Sequence, residues 1–399
     1  MIPRMAEGLL HRLLRGFPVV TVTGPRQSGK TTLARAVARD KPYVSLEDPD
    51  VRQWATDDPR AFLARFPDGA VLDEVQRCPE LLSYLQSRVD GDGRMGLFLL
   101  TGSQQFGLLS RISQSLAGRS AFVELLPFSA CELAPAQRLP PTLDEWMLKG
   151  GYPPLYDRPV SPRAWFSAYV AAYVERDVRQ LLRVQELSTF QRFVMLCAGR
   201  TGQLVNLSSL AADCGITHNT AKAWLSVLEA SYLVTLLRPY HINFNKRLVK
   251  TPKLYFLDVG LAAWLLGIQT VEQLAVHPLR GSLFETLVVA ELLKARLHAG
   301  QRPGLYFWRD SNGHEVDVII ERGDRWVPVE IKVGMTVARD FFAGLQKWLA
   351  LAGDRAGDPV LIYGGDDSFL HQGVRVWGWR DLGRAEVVDW ANVDADLHA

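Results

Sequence analysis

The sequence predicts an α/β protein, and two observations carry that prediction. Short apolar runs alternate with helix-length segments from residue 18 to about 130, the pattern of a parallel sheet with crossover helices. A second alternation, of one helix, three strands, a helix and two strands, spans about 280–382. Between them lie helical patterns broken by Pro140-Pro141 and Pro153-Pro154, a compact helical segment, and a basic stretch of strand character over 236–257. The 399 residues suffice for two or three domains at roughly 100–200 residues each.

Hydrophobic residues make up 48% and charged residues 22%, which excludes a wholly disordered chain, a collagen and a coiled coil. The net charge of +2 neither selects nor excludes nucleic acid, so local segments decide. Cys78, Cys131, Cys197 and Cys214 form no CxxC pair and no pattern with histidines, so neither a zinc site nor a disulfide framework is expected. Charges interrupt residues 1–18, which read as an amphipathic helix through Leu9, Leu10, Leu13 and Leu14 rather than a signal peptide. No uncharged apolar run reaches the ~18–20 residues that span a bilayer, so a soluble cytoplasmic protein without membrane contact is expected.

The first strands are expected at 18–23, 43–46, 70–72, 97–101 and 121–125. Directly after the first comes Gly24-Pro25-Arg26-Gln27-Ser28-Gly29-Lys30-Thr31-Thr32, a full G-x-x-x-x-G-K-[ST] match that opens a helix. Glycines let the backbone N–H groups wrap phosphates, and the helix N-terminus favours their charge. Lys30 reaches the β- and γ-phosphates of ATP, and Thr31 ligates Mg²⁺. The strand 70–72 runs into Asp73 and Glu74, with Asp73 placed for the Mg²⁺ shell and Glu74 for activating water, which favours hydrolysis over a kinase reaction. At the tip of the next strand Ser103 is the expected γ-phosphate contact, with Thr101 and Gln104 as alternatives. Arg119 is the expected arginine finger, ahead of Arg111 and Arg176.

These residues resemble the AAA+ ATPases, in particular the prokaryotic group whose ATPase core is fused to a C-terminal domain of unknown function. The phrases GPRQSGKTTL, VLDEVQ, LLTGSQQF, SLAGRSAFVELLPFS, GGYPPLYD, YVERDV and FLDVGLAAWLLG carry the resemblance in order along nearly the whole chain. The resemblance implies a homo-oligomer, a hexameric ring with ATP at subunit boundaries.

Residues 206–228 read as a helix-turn-helix, with Gly215 at the turn and Thr217 capping the second helix. Ala221, Trp224, Leu225 and Leu228 form its apolar stripe, which leaves His218, Asn219, Lys222 and Ser226 outward. Residues 230–257 hold no Asp or Glu but carry Arg238, Lys246, Arg247, Lys250 and Lys253 among Tyr240, Phe244 and Tyr255. This is a winged-helix pattern with a basic wing suited to DNA phosphates, or equally a module for a protein partner.

In the C-terminal third a helix carries Glu285, and three strands follow. Asp317 lies in the second strand, and Glu330 and Lys332 share one face of the third. Asp317, Glu330 and Glu285 are candidate metal ligands, and Lys332 would position water. The D-x12-ExK spacing resembles the PD-(D/E)xK (restriction-endonuclease-like) fold, although His314-Glu315-Val316 replaces the usual proline. That resemblance implies a domain that binds DNA and either cuts it or has lost cleavage. The expected division is an ATPase domain with a helical lid over 1–185, a winged helix over 186–265, a nuclease-like domain over 266–388 and an acidic tail over 389–399. Two functions fit it: an ATP-hydrolysing protein acting on duplex or branched DNA, or a nucleotide-gated switch that binds a protein.

Overall fold

Five apolar runs of the N-terminal third form a parallel sheet of β1 (Val19–Thr23), β2 (Tyr43–Ser45), β3 (Ala70–Asp73), β4 (Phe98–Gly102) and β5 (Ser120–Glu124). The strand order is β2-β3-β4-β1-β5. The structure, a computed structural model, describes residues 1–103, 115–174, 187–240 and 250–392. Strand alternation sorts the side chains between two faces, both covered, which is why the runs are apolar throughout. Val19, Ala70, Leu72, Phe98 and Leu100 pack with Phe62, Leu82, Leu85 and Val89. Val20, Val22, Val71, Leu99 and Val123 pack instead against Leu9 and Leu10 of the helix Ala6–Gly16 and against Leu33 and Ala34 of the helix Lys30–Val37. β1 lies inside the sheet between β4 and β5, and its carboxyl end delivers the chain into Gly24.

A second sheet contains β6 (Gln203–Leu204), β7 (Val234–Pro239), β8 (Lys253–Phe256), β9 (Leu305–Arg309), β10 (Glu315–Arg322), β11 (Arg325–Lys332), β12 (Val360–Tyr363), β13 (Phe369–His371) and β14 (Val374–Gly378). The order is β13-β14-β12-β11-β10-β9-β7-β8-β6. One face is closed by Leu345 and Trp348 of the helix Ala343–Ala352, packed on Trp308, Val316, Ile319, Leu361 and Val376. β13 is a strand more than the sequence pattern indicated.

The chain forms two compact units. One is Met1–Pro127 with Ala230–Tyr232 and Leu297–Gly300; the other is Phe128–Glu229, Leu233–Arg296 and Gln301–Ala399. This partition differs from the expected boundaries at 185 and 265. The segment after Pro127 belongs with the second unit because its polar groups are satisfied there. Asp258 accepts from the Gly151 N–H (2.7 Å), Glu291 accepts from the Ala130 N–H (2.7 Å), and Arg280 pairs with Asp144 (2.8 Å). Residue 265 is no sheet boundary either. β7 pairs antiparallel with β8 on one edge and parallel with β9 on the other, with Arg238 opposite Tyr306, so 186–265 and 266–388 share one continuous sheet. Each edge of β7 thus finds a partner for its backbone groups. No helix among the described residues is long and apolar enough to cross a membrane.

Candidate nucleotide site and carboxylate cluster

The loop after β1 can take its shape only with glycine at two positions. Gly24 has φ +147°, and a Cβ there would lie 2.2 Å from the Leu125 carbonyl oxygen. Gly29 is left-handed (φ +93°) where the helix Lys30–Val37 begins. Lys30 is buried, and its ammonium donates to the carbonyls of Gly24 (3.0 Å) and Pro25 (2.7 Å). Burial lowers its pKa to about 8, against the opposing pull of Glu74 and Asp73.

Thr31, two residues after Gly29, donates to Asp73 Oδ1 (2.9 Å) at the end of β3. Thr101 on β4 donates to the same oxygen, and the Tyr43 hydroxyl donates to Oδ2 (2.8 Å). Glu74 sits in left-handed backbone (φ +57°), and its carboxylate receives a different set of donors, Gln76 Nε2 and Ser103 Oγ (3.2 Å). Asp73 and Glu74 thus become two separately held acids. The Thr31 hydroxyl and the Asp73 carboxylate are the hard oxygen donors Mg²⁺ takes, and they stand together, so these residues fit the ion.

Sequence reasoning therefore placed Lys30, Thr31, Asp73, Glu74 and Ser103 where they meet, while Tyr43 and Gln76 escaped it. Gln76 lay inside the VLDEVQ phrase, but Tyr43 gives no local signal because its role depends on β2 lying beside β3. Arg119 stands at the amino end of β5, opposite the phosphate loop, and its guanidinium is paired with Asp90 (Nη2 to Oδ2, 2.9 Å). Gln104, Arg111 and Arg176 lie outside the described residues.

The predicted helix pair appears as Leu207–Cys214 and His218–Ala230, joined through left-handed Gly215 (φ +69°). Ala221, Trp224, Leu225 and Leu228 are buried, and His218, Asn219 and Lys222 are exposed, as are Arg238 and Lys250. Lys246 and Arg247 lie outside the described residues. Lys253 contradicts its expected role as a wing cation for DNA. Its strand position turns the side chain inward, where only 4% of it is exposed, and its ammonium is paired with Glu285 Oε1 (2.9 Å) and with Glu315. Asp317 Oδ1 is 3.9 Å away.

These contacts make one cluster. A bulge in β10 between Val316 and Ile319 re-aims Asp317, whose Oδ2 accepts the Ile331 N–H of β11 (2.8 Å) and lies 3.5 Å from Lys332. Lys332 also pairs with Glu330 Oε1 (2.5 Å), Arg309 with Glu315 (3.2 Å), and the Tyr255 hydroxyl donates to Glu285 (2.5 Å). Burial first and Asp317 next raise the pKa values of Glu285 and Glu330, the latter to about 8. Burial alone would lower Lys253, yet Glu285, Asp317 and Glu315 hold it above its ordinary value.

The nuclease-like resemblance implies a divalent metal here. One observation favours it: Glu330 Oε2 is buried without a hydrogen-bond partner. The rest oppose it. Lys253 occupies the space between the helix and strand acids, three cations already face four carboxylates, and no three His, Cys, Asp or Glu among the described residues stand in metal-holding geometry. The cluster as built does not fit the ion.

Family models match three stretches: an AAA domain over residues 16–134, a domain of unknown function (DUF8612) over 140–272, and another (DUF4143) over 280–382. The uncharacterized proteins Mb2031c of Mycobacterium bovis and Rv2008c of Mycobacterium tuberculosis are each 34% identical over 334 residues, covering 82% of this chain and 73% of theirs. Among solved structures, the Walker-type ATPase PABY2304 of Pyrococcus abyssi is 16% identical with a TM-score of 0.45, covering 66% of this chain and 96% of that one. The RuvB Holliday junction branch migration motor of Thermotoga maritima is 19% identical with a TM-score of 0.30, covering 58% and 88%. At these scores neither likeness bears on function. The chain belongs to one family with the two mycobacterial proteins, and its N-terminal unit is an AAA P-loop domain.

Proposed function

We propose that the protein hydrolyses ATP in its N-terminal unit and acts on DNA through its C-terminal half, as a homo-oligomer of the ring type its family resemblance implies. The observation that carries the ATPase reading is the pair of separately held acids. Asp73 receives three hydroxyl donors beside the phosphate loop, and Glu74 is held apart by Gln76 and Ser103. Lys30 binds the β- and γ-phosphates once ATP displaces its carbonyl partners, and Thr31 and Asp73 would hold Mg²⁺, which would supply neutralising charge. Glu74 accepts the proton of the attacking water, and Ser103 orients that carboxylate.

The DNA reading rests on the segment from Leu187–Ala198 to β8. Its order of helix, strand, helix, helix, strand and strand, with sheet order β7-β8-β6, supports the winged-helix reading. The exposed His218, Asn219 and Lys222 would meet the groove, and Arg238, Lys246, Arg247 and Lys250 the phosphates. Cleavage is no part of this proposal, because Lys253 takes the metal's place. That same observation favours the second reading, a nucleotide-gated switch with a protein partner.

ATP turnover with and without duplex and four-way DNA, across a salt series, separates the two. DNA action predicts stimulation that fades with salt. It also predicts a binding slope reduced by about 1 for Arg238→Ala and for Lys250→Ala. Turnover indifferent to DNA, with no DNA binding, would leave the switch.

A further inference from the structure

We infer that the Lys253 ammonium is the resident cation of the Glu285–Glu315–Asp317–Glu330 cluster, and that the second unit therefore takes up no divalent ion there. The inference concerns the cluster alone and stands whether or not the protein acts on DNA.

Three observations converge on it. Lys253 enters from β8, which lies next to β7 in the sheet, so its ammonium arrives from outside the helix and strands that carry the acids. It reaches acids of both kinds, Glu285 from the helix Arg280–His298 and Glu315 from β10, with Asp317 beside them. A divalent ion bridging helix and strand carboxylates would need the same space and the same oxygens. Second, oxygens on three of the acids have further donors: Glu285 Oε1 also receives the Tyr255 hydroxyl, Asp317 Oδ2 receives a backbone N–H, and Glu330 Oε1 receives Lys332, while Glu330 Oε2 is buried without a partner. Third, Lys253 has its methylene chain enclosed and its ammonium near the face of Phe307 (5.6 Å to the centroid). An enclosed stem of this kind leaves the head group no ready path to water.

Glu285, Asp317, Glu330 and Lys332 are the residues that a metal-dependent nuclease of this spacing would use. A lysine from the neighbouring strand β8 supplies the positive charge instead. The constellation thus holds β8, β10, β11 and the helix Arg280–His298 together rather than activating water.

The test titrates Mn²⁺ into the nucleotide-free full-length protein and follows free Mn²⁺ by electron paramagnetic resonance. Wild type and Asp317→Asn are expected to give superimposable curves, since any ion at Thr31 and Asp73 is common to both. Lys253→Met is expected to gain one equivalent, and Lys253→Met with Asp317→Asn to lose it again. An equivalent lost in Asp317→Asn relative to wild type would overturn the inference. So would a folded Lys253→Met protein that gains none. Should Lys253→Met not fold, the wild-type comparison with Asp317→Asn still decides, supported by the thermal midpoint with and without Mn²⁺. Any Mn²⁺ shift is expected to be the same in both proteins, and a shift that Asp317→Asn removes would contradict the assignment.

Discussion

Two groups of acids in this molecule are built from the same residue types and held in opposite ways. Asp73 is surrounded by hydroxyls of Thr31, Thr101 and Tyr43, neutral donors that fix its orientation and leave its charge uncancelled. Glu285, Glu315, Asp317 and Glu330 are held by the ammoniums of Lys253 and Lys332 and the guanidinium of Arg309, which cancel most of theirs. A carboxylate held by hydroxyls remains available to a cation that comes and goes with nucleotide. One held by a buried ammonium has its counter-ion already. The donor, more than the acid, decides whether such a group is a working site or a structural one.

The largest effect that tests this contrast is at Lys30. Lys30→Ala removes the charge that meets the phosphates and is expected to lower ATP turnover at least ~10²-fold, read in a steady-state phosphate-release assay. An intermediate effect belongs to the other cluster. Lys253→Met leaves buried carboxylates uncompensated and is expected to cost about 3–5 kcal/mol in the stability of the second unit, measured by denaturant unfolding. If that unit is unchanged, Lys253 is no counter-ion and the contrast breaks.

A smaller effect sharpens it. The raised pKa of Glu330 means the folded state holds a proton that the unfolded chain has released above its ordinary value of 4.5. That contribution is complete below the ordinary value and is lost as pH rises through about 8, so stability falls across this window. Glu330→Gln should flatten the fall, read as thermal midpoint against pH. The smallest expected effect is that of Tyr43→Phe, which removes one of three donors to Asp73. About 1 kcal/mol, roughly fivefold in kcat/KM, is expected.

The sequence made the nucleotide site legible because its parts are local. Strand, glycine loop and lysine are contiguous, and Asp73-Glu74 sits at the end of one apolar run. Ser103 was legible as the tip of the following strand. Tyr43 was not, since only the pairing of β2 with β3 brings it to Asp73. The burial pattern of the helix His218–Ala230 followed from its spacing. Lys253 misled for an instructive reason. An acid-free basic run reads as a solvated patch, but strand alternation turned one of its cations inward, and the acids that receive it lie ~30–60 residues away. The two-unit partition escaped for the same reason, because β7 finds its second partner in β9 across almost 70 residues.

The central claim is that Glu74, held by the neutral donors Gln76 and Ser103, acts as the base. ATP turnover by Glu74→Gln tests it most directly, measured together with nucleotide retained on the isolated protein. The account predicts turnover lowered ~10²–10⁴-fold with unhydrolysed ATP retained on the protein. Turnover at the wild-type rate would contradict it.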